Sequence, residues 1–199
     1  MRDQPFLFTT TFALAAAMTA VMLLPVGRVA AKVQEGGYFL PLALAQKAAN
    51  ASIASCAASG YAVSAVIVET SGIIKLEAKG DHSTVHTTTS AFRKAYTVVT
   101  LGPIFHFDAS SAFALLAANN PNGAALATLP DIAPLPGGVA IKVGDEIVAA
   151  LGISGSPGGD KDEVCAAAGV DSIGEDLAAL FPGREVKRRY VPESSDERD

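Results

Sequence analysis

The sequence predicts an α+β fold in which one antiparallel sheet is covered by helices. Three observations carry that reading. Residues 61–78 and 139–153 each read as a hairpin, the first broken at Glu69-Thr-Ser-Gly72 and the second at Gly144-Asp145. An Ala-rich helical stretch precedes the first hairpin, and a polar-faced one lies between the two. A third follows the second hairpin directly. Consecutive antiparallel strands with helices set apart from them favour a helix-covered sheet.

The chain has 199 residues, half of them apolar, which suits one domain with appendages. The N-terminal segment comes first. Arg2 stands near the amino terminus, and an apolar run broken by four threonines extends from Phe6 to Leu24. Pro25 and Gly27 end it, and Val29-Ala30-Ala31 supplies small residues for cleavage. Residues 1–31 therefore read as a secretory signal peptide, and an uncleaved anchor is the alternative. The expectation is export to the periplasm or beyond, with no stable membrane insertion after cleavage. The formal net charge is −5; loss of Arg2, Arg28 and Asp3 leaves 13 cations and 19 anions, or −6. That balance argues against a nucleic-acid partner held by phosphate contacts.

The first helix of the remaining chain runs from Pro41 to Ser59. Pro suits a first helical position, Ala fills the interior and Gly60 ends it. Leu42, Ala45, Ala49, Ile53 and Cys56 form the stripe expected to meet the core. Tyr61 to Val68 is apolar on both faces, as a central strand is. Ile73 to Ala78 alternates, with Lys75 and Glu77 on a wet face. Ser83 is an N-cap candidate for the next helix. Its buried stripe would be Val85, Thr88, Phe92, Ala95 and Val99, and its open face His86, Ser90, Arg93 and Thr97, with Lys94 alongside. His86 and Arg93 fall about 20° apart around the axis, because seven residues make almost two turns.

Residues 103–134 are the least regular. Asp108 can cap a short helix over 109–118, Asn119-Asn-Pro-Asn-Gly123 is a break, and 124–129 reads as a short edge strand. After the second hairpin, Gly152-Ile-Ser-Gly-Ser-Pro-Gly-Gly-Asp160 leads into the last helix. Asp160, Asp162 and Glu163 put negative charge in its first turn, and Gly169 reads as its stop. Residues 32–170 form the expected domain and 171–199 an extension, of which 183–199 reads as a mobile tail.

The two cysteines, Cys56 and Cys165, are either bridged, as an oxidising compartment permits, or two buried thiols. A bridge would close a loop of about 110 residues, worth on the order of 4–5 kcal/mol. No hydrolase-type catalytic set is visible, so nothing in the pattern marks an enzyme. Ser154 to Gly159 lacks the Lys of a phosphate-binding loop, and a tight turn alone accounts for its glycines. The richest constellation is His82, His86, Arg93, Lys94 and Thr97. Imidazole is a natural axial ligand for haem iron, which points to His86 and His82, and Arg and Lys are natural partners of propionates. Phe92, Tyr96 and the Phe105 and Phe107 pair could wall such a group. A solvated helix with two incidental histidines is the competing reading.

The closing segment, Leu135-Pro-Gly-Gly-Val, the Gly144-Asp145 hairpin, Ala150-Leu-Gly-Ile-Ser-Gly, then Asp160, Asp162-Glu163 and Cys165-Ala-Ala-Ala-Gly169, resembles the end signature of the GlcG/HbpS haem-binding family. The C-terminal domain of PduO-type corrinoid adenosyltransferases belongs to the same group. The middle stretch from Ser90 to Thr97 is similar to the family's helix. The resemblance spans roughly residues 38–170 and implies a profilin-like antiparallel sheet of about five strands, flanked by helices. It also implies assembly into homo-oligomers and a haem-related role in storage, scavenging or sensing, in which a His or Thr approaches the iron. Two other classes stay open. One is an accessory protein or enzyme for a small hydroxy acid or aldehyde, with Arg93 and Lys94 on the carboxylate and His86 as acid or base. The other is a structural, oligomerising module.

Overall fold

The structure is a computed structural model and describes residues 37–186. The signal peptide expected over 1–31, residues 32–36 and residues 187–199 lie outside the described residues. The chain divides into two units, Met1–Gly37 and Tyr38–Asp199, and the fold below is that of the second.

Its elements in chain order are α1 (Leu42–Ala58), β1 (Ser64–Glu69), β2 (Ile74–Lys79), α2 (Thr87–Phe105), α3 (Ser110–Asn119), α4 (Gly123–Leu126), β3 (Gly138–Val143), β4 (Glu146–Ser154) and α5 (Gly159–Leu180). The four strands form one sheet in the order β2-β1-β4-β3, antiparallel throughout. The two hairpins lie side by side, joined by β1 and β4, which pair from Ser64–Ser154 to Glu69–Ala149. Both inner strands are buried on both faces, in keeping with their unbroken apolar runs.

Helices cover each face. α1 and α5 pack on Ala65, Ile67, Ile141, Leu151 and Ile153. α2 and α3 pack on Val66, Val68, Ala140 and Ala150. The alternation of these two sets along β1 and β4 is the period-two pleat of a strand between two helical layers.

Four readings of the sequence are corrected. The sheet has four strands rather than about five: residues 123–126 of Gly-Ala-Ala-Leu form the short helix α4. The outer edge of β3 meets no further strand among the described residues: it has an isolated Ala109–Val139 bridge, the Asp108 carbonyl accepting from Ala140 N–H at 2.7 Å and Ser110 Oγ accepting from Gly138 N–H at 2.8 Å. Second, α5 does not stop at Gly169 but runs on to Leu180. Gly169 is there because α1 crosses α5 at that point. A Cβ on it would overlap Ser52 Oγ and lie 2.6 Å from the Ala48 carbonyl oxygen. In the same crossing Cys56 and Cys165 are bridged, their Cα atoms 5.5 Å apart.

Third, the part of the tail that is described packs on the domain. Arg184 lies 5.5 Å over the Tyr38 ring, Tyr38 meets Phe181 edge-on, and Val186 is buried. The Glu185 carbonyl accepts from Gly144 N–H at the β3–β4 turn. Fourth, α2 begins at Thr87 with His86 as its N-cap residue, and Ser83 does not cap it. The Ser83 hydroxyl instead donates to the Gly80 carbonyl and meets Ser64 Oγ at 3.1 Å. Val85, expected in the core, is 89% exposed.

Candidate functional site

Of the residues singled out for ligand binding, α2 carries Arg93, Lys94 and Thr97, with His86 as its N-cap residue and His82 in the turn ahead. Its burial stripe is rotated from the one expected. Thr87, Ala91, Lys94, Ala95, Thr97 and Val98 face the protein. The reason is close packing. A Cβ on Gly152 would overlap the carbonyl oxygen of Ala91, so the small face of α2, not the Phe92 face, lies on β4.

That rotation buries two expected ligands. Lys94 Nζ pairs with Asp162 Oδ2 at 2.7 Å, with the two side chains 4% and 3% exposed, and donates to the Ile153 carbonyl at 3.0 Å. Asp162 Oδ1 accepts from Ser156 N–H at 2.9 Å. Gly137 lies directly against the pair. Its φ is +123°, and a Cβ there would sit 2.9 Å from Lys94 Nζ and from Ile153 O. Charges removed from water need this degree of hydrogen bonding. Lys94 is therefore not available to a propionate or a substrate carboxylate.

Thr97 is likewise committed. Its hydroxyl donates to the Arg93 carbonyl at 2.8 Å and accepts from Ala133 N–H at 2.9 Å. Arg93 is half-buried and donates one N–H to the Ile132 carbonyl at 2.6 Å. Its guanidinium has further donors for an anion. Glu163 completes the clasp by accepting from Ser111 Oγ, Ser111 N–H and Gly137 N–H. The signature residues Pro136-Gly137-Gly138, Gly152 and Asp162-Glu163 thus meet around Lys94. They fasten the approach to β3 against α2, α3 and α5.

The exposed candidates are at the N-terminal end of α2. His82 stands in the turn ahead of it at φ +63°, one of three non-glycine residues with positive φ among those described. His86 Nδ1 lies 3.2 Å from Thr84 Oγ1. When Nδ1 carries the hydrogen and donates to that hydroxyl, the Nε2 lone pair is left for a metal. Beneath this end, Ser64 Oγ lies 2.7 Å from Thr87 Oγ1, and Thr87 Oγ1 donates to the Thr84 carbonyl. This hydroxyl cluster pins the helix start to β1. It is invisible in sequence because Ser64 and Thr87 are 23 positions apart.

At the other end of α2, His106 is the C-cap residue at φ +57°. A cleft of about 650 Å³ opens beside it, between the helix end and the β3–β4 turn. Phe105 and Phe107 do not form a common wall: Phe107 is buried against Phe113 at 5.8 Å. Phe92 and Tyr96 pair at 5.5 Å, with Tyr96 against Gly72 in the β1–β2 turn. Among the described residues no three His, Cys, Asp or Glu side chains gather as a metal set.

The family model for "Haem degrading protein HbpS-like" matches residues 40–171. The chain belongs to this family. Among solved structures, a double mutant of Streptomyces reticuli HbpS is 31% identical over 73% of this HbpS-like chain and 96% of its own, with a TM-score of 0.64. An HbpS crystal structure is 30% identical over 77% of this chain and 99% of its own, at 0.61. A complex described as PduOC with heme is 17% identical over 68% of this chain and 96% of its own, also at 0.61, which shows a shared fold. No curated protein sequence matches the chain.

The residues at the start of α2 fit a haem group on two counts. An exposed imidazole is available to iron. The helix's positive pole carries no acidic residue in its first turn, so it favours the two propionates. The cleft at the other end fits poorly, because among its described lining residues Asp108, Asp145 and Glu146 outnumber Lys142.

Proposed function

We propose that this HbpS-like chain is an exported haem-binding protein that stores, scavenges or senses haem as a homo-oligomer. The observation that carries the reading is the pairing of family membership with exposed His86 and His82 at the positive pole of α2. Haem, when bound, supplies a redox-active iron. His86 would present Nε2 to it, held by Thr84, with His82 as the neighbouring imidazole. Arg93, two turns along the helix, would hold a propionate with the donors not given to Ile132. Val85 offers bare apolar surface beside His86, and a second copy of the chain would cover what one protomer leaves open. Export rests on the signal-like segment 1–31 and is compatible with the Cys56–Cys165 bridge.

The hydroxy-acid reading loses its main support, because Lys94 is enclosed with Asp162. The test is a haemin titration followed at the Soret band, on the parent protein and on His82→Ala and His86→Ala. Saturable binding that weakens or shifts in one variant supports the reading. Absence of saturable binding ends it.

A further inference from the structure

The cleft at the C-terminal end of α2 has a chemistry opposite to that of the haem-type end. Its floor is apolar, formed by Pro103, Phe107 and Ile147. Gly102 lets the helix end pack closely on the floor: a Cβ there would lie 2.8 Å from Phe107 O and 3.1 Å from Ile147 Cδ1. Its rim is acidic. Asp145 and Glu146 are exposed on the hairpin turn. The cation on the rim, Lys142, is held by Asp108 at 3.0 and 3.2 Å. The helix adds to this field, because its negative pole points here and its last turn has no basic residue.

We infer that this cleft is a binding site for a small organic cation, an amine carried on a hydrocarbon body of about one ring. The volume of about 650 Å³ falls in the range of small-molecule sites and exceeds what a bare ion needs. Among the described residues no metal set is assembled there, which leaves the acids to act on a diffuse positive group rather than to ligate an ion. The ammonium would sit between Asp145 and Glu146 and the ring on Ile147 and Pro103. His106 stands at the mouth of the cleft, exposed to solvent. The inference is independent of haem, since it uses the other end of α2 and none of the residues assigned there.

The test uses the full chain and two probes with the same body and opposite charge, phenethylamine and 3-phenylpropionate. Calorimetry gives affinity, and amide NMR shifts give location. The expected result is saturable binding of phenethylamine alone, with shifts at Phe107 and Ile147. Glu146→Lys, on an exposed turn, should weaken it by about tenfold or more while leaving the haemin titration and thermal midpoint unchanged. Equal binding of the anion, shifts elsewhere, no binding at millimolar probe, or an unaltered Glu146→Lys affinity would each overturn it.

Discussion

Lys94 and Asp162, on different helices and 68 positions apart, form an ion pair that is shut from water by the backbone of Gly137. Removing one partner leaves the other buried and uncompensated. Lys94→Met should therefore lower the unfolding free energy by about 3–5 kcal/mol. That is a large share of the ~5–15 kcal/mol available to a domain. The double change Lys94→Met/Asp162→Leu should recover most of the loss, because a packed apolar pair can replace a buried ionic one. Some deficit should remain, about 1–3 kcal/mol, for the Ser156 N–H and Ile153 carbonyl left without partners. Urea denaturation of the three proteins checks this, and a single variant as stable as the parent would refute it.

Two glycines of the second hairpin separate steric from conformational demand. Gly144 has φ +62° and open space where a Cβ would go, so Gly144→Ala should cost only the left-handed conformation, about 1–2 kcal/mol. Gly152 lies under the Ala91 carbonyl, and Gly152→Ala must lift α2 off the sheet. We expect a cost of about 3 kcal/mol or more for the same one-carbon change. Equal losses in chemical denaturation would contradict the close-packing account.

How much of this was legible depends on the kind of signal. Both hairpins and the helices between them could be read because they rest on local periodicity and turn residues. The edge strand expected over 124–129 rests on a short Ala-rich run with no period, and residues 123–126 are instead a turn of helix. Hydrophobicity ranks Phe92 above Ala91 and so predicts the wrong stripe on α2, whereas the sheet beneath offers glycine and takes the smaller residue. Lys94, beside the His86–Arg93 face and within the family-like stretch, suggests a ligand residue. Its true partner, Asp162, sat in plain view as a helix N-terminal acid, and only the three-dimensional crossing joins them. The Pro-Gly-Gly motif is legible as a family signature, but its close passage over the buried Lys94–Asp162 pair follows only from the fold.

The Cys56–Cys165 bridge links α1 to α5 beside the Gly169 crossing, and Ser156 Oγ lies 3.6 Å from the Cys56 sulfur. It closes a loop spanning 109 positions, for which the chain-entropy model gives about 4–5 kcal/mol. Cys56→Ala/Cys165→Ala should lose that much in chemical denaturation, and dithiothreitol should destabilise the parent but leave the variant unchanged. A parent insensitive to full reduction would mean that the helix crossing, not the bond, holds the two layers together. Ser52 offers a related check. Its buried hydroxyl has no partner among the described residues, so Ser52→Ala should be neutral or slightly stabilising.

Arg93 and Lys94 are neighbours in sequence with opposite expected effects on haem. Arg93 is half-buried with donors to spare, whereas Lys94 is sealed away with Asp162. Arg93→Gln keeps a donor for the Ile132 carbonyl but removes the charge, so it should preserve stability while weakening haemin binding. A lost charge-assisted hydrogen bond of about 1.5–3 kcal/mol corresponds to roughly ten- to hundredfold in affinity. Lys94→Met/Asp162→Leu should do the reverse, altering stability and leaving the Soret titration unchanged. Running titration and denaturation on the same preparations separates the two roles. If both variants lose haem in proportion to stability, Arg93 acts only by holding the 132–133 segment, and the propionate partner must be sought elsewhere. If Arg93→Gln alone loses haem at full stability, the ligand lies along the open face of α2 between His86 and Arg93.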